Sequence, residues 1–192
     1  MHQASGLKHN ISRRRTLLTL AGLPVLSALG ALGACSTAAP KGVQVVRPFD
    51  AQRYTGLWYE IARLDHSFER GLSKVSAQYK LQSDGSIQVI NRGFNASKKK
   101  WREAQGVAKF TGASDVGSLK VSFFGPFYGG YHVVALDSVA YQWSMVIGPD
   151  TDFLWILCRD RQLPSGVQAQ LLTQARQLGV NTDALIWVDQ SL

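Results

Sequence analysis

Eight short runs of aromatic and β-branched residues, each stopped by a turn, constrain this 192-residue chain more than any other feature. They occupy 57–64, 74–81, 86–94, 101–110, 118–124, 131–137, 141–147 and 153–159. In the second, Val75, Ala77, Tyr79 and Leu81 alternate with Lys74, Ser76, Gln78 and Lys80, the period of a strand with one wet face. Ser83-Asp84-Gly85 closes a hairpin by supplying a residue at ease with positive φ. Gly112 and Gly117 bracket another turn, and so do Gly125-Pro126 with Gly129-Gly130, and Gly148-Pro149-Asp150. Strands this short and evenly spaced predict an all-β up-and-down barrel or a sandwich.

The first run is apolar on both sides. Trp58, Glu60 and Ala62 share one face, Leu57, Tyr59 and Ile61 the other, so this strand needs cover from two layers. Helical period occurs late, where Val167, Leu171, Ala175 and Leu178 form one stripe. Ser165 with Gln168 has the spacing of a capping box, and Gly179 ends the helix. The stripe seeks a partner outside the strand layer, with 185–188 as a last edge strand and 50–54 as a helical turn plugging the base.

The leader is a separate matter. Lys8 and Arg13 to Arg15 precede an apolar run, 17–31, that Gly22, Pro24 and Gly30 interrupt. That pattern predicts a signal peptide over 1–34 rather than a spanning helix. Leu32-Gly33-Ala34-Cys35 has the form of a lipobox, which makes Cys35 the expected lipid acceptor and the membrane a partner through that anchor. Ser12 to Leu18 also fits a twin-arginine export signal, and Ser36, not Asp, follows the acceptor, which favours the outer membrane. Residues 35–47 then read as a lipidated tether and 48–192 as one domain. Losing the leader's four cations leaves 17 Lys and Arg against 13 Asp and Glu, so the formal charge drops from +8 to +4. Lys98-Lys99-Lys100 with Arg102 reads as a solvated hairpin tip, and no nucleic-acid partner is expected. Cys158 has no partner for a disulfide and reads as a small buried residue.

The block from Gly56-Leu57-Trp58-Tyr59-Glu60 through Phe68-Glu69-Arg70-Gly71-Leu72 resembles the lipocalins, specifically the bacterial outer-membrane lipoprotein members close to apolipoprotein D. The likeness continues through Asn91-Arg92-Gly93, Gly106, Lys120 to Tyr131 and Leu154-Trp155-Ile156-Leu157, in order, over residues 48 to 189. It implies an eight-stranded antiparallel barrel with the C-terminal helix packed outside. It also implies a closed end where the Arg159 guanidinium covers the Trp58 indole, with Gly56 in the same motif. Ala135-Leu136-Asp137 matches the second family block through Asp137, although Leu136 and Ser138 depart from it. Thr151-Asp152-Phe153 fits the pattern better but lies one hairpin too late.

Functional chemistry then falls to the bore, which in such a barrel can hold one small ligand. Alternation assigns Val75, Ala77, Tyr79, Val89, Asn91, Phe123, Tyr131, Trp143 and Met145 to its lining. The expected ligand is a lipid or fatty acid, carried with the domain facing the periplasm. The rival readings are a structural lipoprotein with a filled barrel and a lipocalin-fold enzyme. No His-Glu-x-x-His, Cys-x-x-Cys, Gly-x-Ser-x-Gly or phosphate loop occurs, so neither metal, cofactor nor enzymatic activity is expected, and Cys158 is the sole thiol nucleophile to consider. The mouth is expected among the loops after Asp65, Phe94 and Phe124, with Lys98 to Lys100 as a cationic rim for anionic head groups. A homodimer is left open.

Overall fold

The structure, a computed structural model, describes residues 37–164 and 166–191. A helical turn, α1 (Ala51–Tyr54), leads into eight strands: β1 (Gly56–Arg63), β2 (Leu72–Leu81), β3 (Ile87–Asn95), β4 (Lys100–Phe110), β5 (Ser118–Phe124), β6 (Phe127–Leu136), β7 (Trp143–Ile147) and β8 (Leu154–Cys158). Helix α2 (Val167–Gln177), a 3-10 turn (Thr182–Ala184) and β9 (Ile186–Trp187) complete the chain. Each strand from β1 to β8 pairs antiparallel with the next, and β1 closes the ring on β8. An up-and-down barrel results, not an open sandwich.

Barrel closure distributes the chain over two cores. Period-two alternation sends one set of side chains inward, Trp58, Ala77, Val89, Leu119 and Val146 among them. The opposite set from β1, β6, β7 and β8 meets α2 outside, where Leu171 and Ala175 pack on Met145, Ile147, Ile156 and Cys158. This second core explains why β1 is apolar on both faces.

Four expectations are corrected. Gly129 and Gly130, read as a turn, lie within β6 and pair with Val121 and Lys120. A Cβ on Gly130 would stand 2.6 Å from the His132 ring. The helix opens on Gly166, in the left-handed region at φ +83°, with no side-chain cap; Ser165 lies outside the described residues. The supposed tether over 38–47 is largely bound to the barrel. The Val46 amide donates to the Val133 carbonyl at 2.8 Å, the Gly117 amide donates to Val46 at 3.0 Å, and Val43 packs into the outer core. Finally, Trp143 and Met145 do not face the bore. On β7 the inward residues are Ser144 and Val146, while Trp143 and Met145 pack with the outer core. Because α2 covers β7 from outside, both faces of that strand are apolar, and alternation alone could not choose the phase.

Candidate functional site

The barrel encloses a cavity of about 360 Å³, within the size range of small-molecule sites. Its floor rests on Trp58, whose indole N–H donates to the Tyr54 carbonyl at 2.8 Å. The Arg159 guanidinium carbon lies 3.9 Å from the centre of the Trp58 ring. The same guanidinium donates to the carbonyls of Leu57, Thr55 and Arg53 at 2.8 to 2.9 Å and to Tyr141 at 3.2 Å. Gly56 permits this approach: its φ is +97°, and a Cβ there would stand 3.1 Å from Arg159 Nη1. Asp137 closes the neighbouring β6–β7 turn by accepting the amides of Val139, Ala140 and Gln142. Trp58, Gly56, Asp137 and Arg159 build the closed end and do not line the cavity.

Above the floor three tyrosines meet. The hydroxyls of Tyr54 and Tyr79 lie 2.9 and 3.1 Å from that of Tyr131, and Tyr54 also bonds Ser144 at 3.0 Å. Burial pushes Tyr54 up to about 12 and raises Tyr79 and Tyr131 as well, so all three stay neutral donors and acceptors. The walls are dry, formed by residues such as Val75, Ala77, Ile87, Val89, Ala108 and Leu119.

The upper wall is polar. Arg63 donates to Glu60 at 2.7 Å and to the carbonyls of Glu69 and Leu72 at 3.1 and 3.3 Å, all with the side chain buried. Glu69 accepts the Trp155 indole N–H at 3.0 Å. Burial holds Glu60 well above the carboxylate range, and the Glu69 charge pushes it further against the pull of Arg63. Glu69 is raised too, again by burial, with Trp155 and Arg63 opposing. His66 is stacked between Phe68 and Phe153 at 5.1 Å each. That burial, with the Arg63 charge adding to it, lowers its pKa to about 4. Together these contacts pin the β1–β2 loop across the cavity mouth.

Seven of the nine residues read from alternation line the cavity: Val75, Ala77, Tyr79, Val89, Asn91, Phe123 and Tyr131. Tyr54, Glu60, Phe68, Glu69, Phe153 and Trp155 also line it, beyond what alternation assigns. Glu60 was within reach, since it shares a face with Trp58. Arg63 was not, because the β1–β8 register shifts between Glu60 and Ala62 and turns Arg63 inward. Lys98 to Lys100 are exposed at the β3–β4 tip and do not line the cavity. Cys158 lies in the outer core, donates to the Gln162 carbonyl at 3.4 Å, and has its thiol pKa raised by burial. Among the described residues no cluster of three His, Cys, Asp or Glu side chains could hold a metal.

The buried groups set opposing pH dependences. Unfolded His66 takes up a proton near 6.5 and the folded residue only near 4, so between these values the unfolded chain holds more protons and stability falls as the pH drops. His132, also lowered by burial, acts in the same sense. Glu60 and Glu69 do the reverse. They keep protons in the fold above 4.5, where the unfolded chain has lost them, so their contribution is full below 4.5 and fades as the pH rises. Urea midpoints measured from pH 4 to 7 should therefore show a steeper acid loss in Glu60→Gln and a shallower one in His66→Phe. Parallel profiles for both variants and the wild type would contradict these assignments.

Known proteins agree with this architecture. Residues 49–190 match the family model described as a lipocalin-like domain. The outer membrane lipoprotein Blc of Citrobacter freundii is 52% identical over 172 residues, covering 88% of this chain and 97% of that protein. Mouse apolipoprotein D is 31% identical over 187 residues, covering 91% and 93%. In fold alone, the crystal structure of the cockroach allergen Per a 4 superposes with a TM-score of 0.64 at 21% identity, covering 81% of this chain and 97% of the allergen. With such relatives, the protein is a lipid-anchored protein of the outer membrane. The chain belongs to the lipocalin family.

Proposed function

We propose that the protein carries a single-chain amphiphile, a fatty acid, a lysophospholipid or a similar molecule, with its tail in the bore. The observation that carries this reading is the shape of the polarity: a dry bore between neutral tyrosine hydroxyls below and the Glu60–Arg63–Glu69 group above. An acyl tail gains about 0.8 kcal/mol for each methylene it buries and asks for no specific partner along its length. The polar group at the mouth suits the head. A filled barrel would leave no such cavity, and an enzymatic reading has little support, because Cys158 sits in the outer core with a thiol raised by burial.

Native mass spectrometry of the mature chain from Ser36 tests the carrier reading. The expected result is an amphiphile adduct that is lost on denaturation and restored by added oleate or lysophospholipid. A bare mass under all conditions would overturn it. We further propose that Cys35 bears the anchor through its thioether, with the domain on the periplasmic side. The intact mass of the membrane-extracted protein should then carry acyl groups on its N-terminal peptide, and an unmodified Cys35 would refute this.

A further inference from the structure

Single exposed apolar side chains are ordinary on a protein surface, but a cluster at one end is not. Phe124 and Phe127, 80% and 70% exposed, flank Gly125-Pro126 at the β5–β6 tip. Phe68, 52% exposed, stands in the β1–β2 loop, and exposed Trp101 is the second residue of β4. In an up-and-down barrel alternate hairpins share an end, so the β1–β2, β3–β4 and β5–β6 turns all belong to the mouth. Phe68 and Phe123 also line the cavity, so the apolar cluster is continuous with the opening.

The β3–β4 tip at that end is basic, whereas the β7–β8 turn across the mouth carries Asp150 and Asp152. The stretch 95–103 holds Lys98, Lys99, Lys100 and Arg102 against Glu103 alone. The three lysines are exposed and take no part in the ion pairs of the described residues, whereas nearby Asp65 is paired with Arg70 at 2.7 Å. The Arg92 guanidinium lies 4.1 Å from the centre of the Trp101 ring, an amphipathic pairing of the kind that suits a water–lipid interface. Aromatic tips beside unpaired lysines complement a surface that is apolar just beneath a layer of negative charge.

We propose that the open end of the barrel is a membrane-docking face that seats on anionic phospholipid. Phe124, Phe127 and Phe68 enter the interface, and Lys98 to Lys100 contact phosphate. The lipid anchor holds the domain itself close to the membrane. Two peptide units separate Cys35 from Thr37, at most about 7 Å of chain, and by Val43 the chain is packed on the barrel. Docking does not depend on which cargo the bore holds, or on its holding any.

The test is co-sedimentation of the mature chain from Ser36, which lacks the anchor, with vesicles of phosphatidylethanolamine containing about one-quarter phosphatidylglycerol. The wild type should bind, and Phe124→Ser/Phe127→Ser should lower the partition coefficient at least about tenfold while leaving the melting temperature unchanged. Replacing Lys98, Lys99 and Lys100 with Gln should lower it about tenfold on these vesicles, but hardly at all on vesicles without phosphatidylglycerol or at high salt. Val139→Ser, at an 84% exposed residue in the β6–β7 turn of the opposite end, should bind as the wild type does. Absence of wild-type binding would overturn the proposal, as would equal binding by the Phe variant or an equal loss in Val139→Ser. Equally decisive would be a wild-type dimer that the Phe substitutions dissolve without changing sedimentation, since the mouth would then join two copies of the chain.

Discussion

Arg159→Ala should lower stability by about 3 kcal/mol, a fall in melting temperature of roughly 6 to 12 °C for a domain of this size. The loss has two sources. Four backbone carbonyls, from Arg53, Thr55, Leu57 and Tyr141, lose their donor at once, and hydrogen bonds from charged donors contribute about 1.5–3 kcal/mol each before solvent replaces them. The half-exposed position lets water recover part of that loss. The cation–π contact with the buried Trp58 adds about 1 kcal/mol. Arg159→Lys should recover less than half, because an ammonium keeps the charge but cannot present the planar fork that reaches several carbonyls together. Cargo content should be unchanged in both, since Arg159 does not line the cavity. A melt within about 2 °C of the wild type would show that the closed end does not depend on this residue.

Filling the bore should have the opposite profile. Ala108 is buried, lines the cavity and belongs to the inner core, so an indole introduced there must project into space that the proposed tail would occupy. Ala108→Trp should reduce amphiphile retention in native mass spectrometry at least about 100-fold. Its melting temperature should shift by only a few degrees, because the new ring enters a void rather than forcing apart packed neighbours. Met145→Ala makes the complementary comparison. Met145 is fully buried under α2, where truncation costs about 2–5 kcal/mol, yet it touches nothing in the bore. Retention lost in the Met145 variant and kept in the Ala108 variant would reverse the assignment of inner and outer faces on which both expectations depend.

That assignment marks where the sequence stops being legible. On β2 and β3 one face is wet, so Val75, Ala77, Tyr79 and Val89 declare themselves by alternation, and they line the cavity. On β7 the outer face is as dry as the inner one, and apolar alternation through Trp143-Ser144-Met145-Val146 does not say which pair points inward. Ser144 held the clue. A polar residue in an apolar strand needs a partner, and that partner is the Tyr54 hydroxyl inside the barrel. The polar mouth was hidden for another reason. Glu60, Arg63, His66 and Glu69 all fall within ten residues of sequence, but a bulge in β1 and a folded-back loop bring them together, and neither follows from period two. Capping failed in the same way: Gly166 at positive φ is where the helix opens, whereas residue types alone favoured the side chain before it.

The ring closure has a consequence in time rather than in space. β1 is among the first parts of the domain to be made, yet its neighbour β8 is among the last, and Arg159 reaches the Leu57 carbonyl across 102 residues of sequence. Hairpins such as β2–β3 can form as soon as their turns exist, but the β1–β8 seam must wait for all eight barrel strands and then bear the loop-closure entropy of the chain between its two members. Until that seam forms, the first strand keeps an unpaired edge beside its buried tryptophan. The chain therefore spends its emergence as an open, sticky ribbon, and the step that seals it is the same one that first encloses the bore.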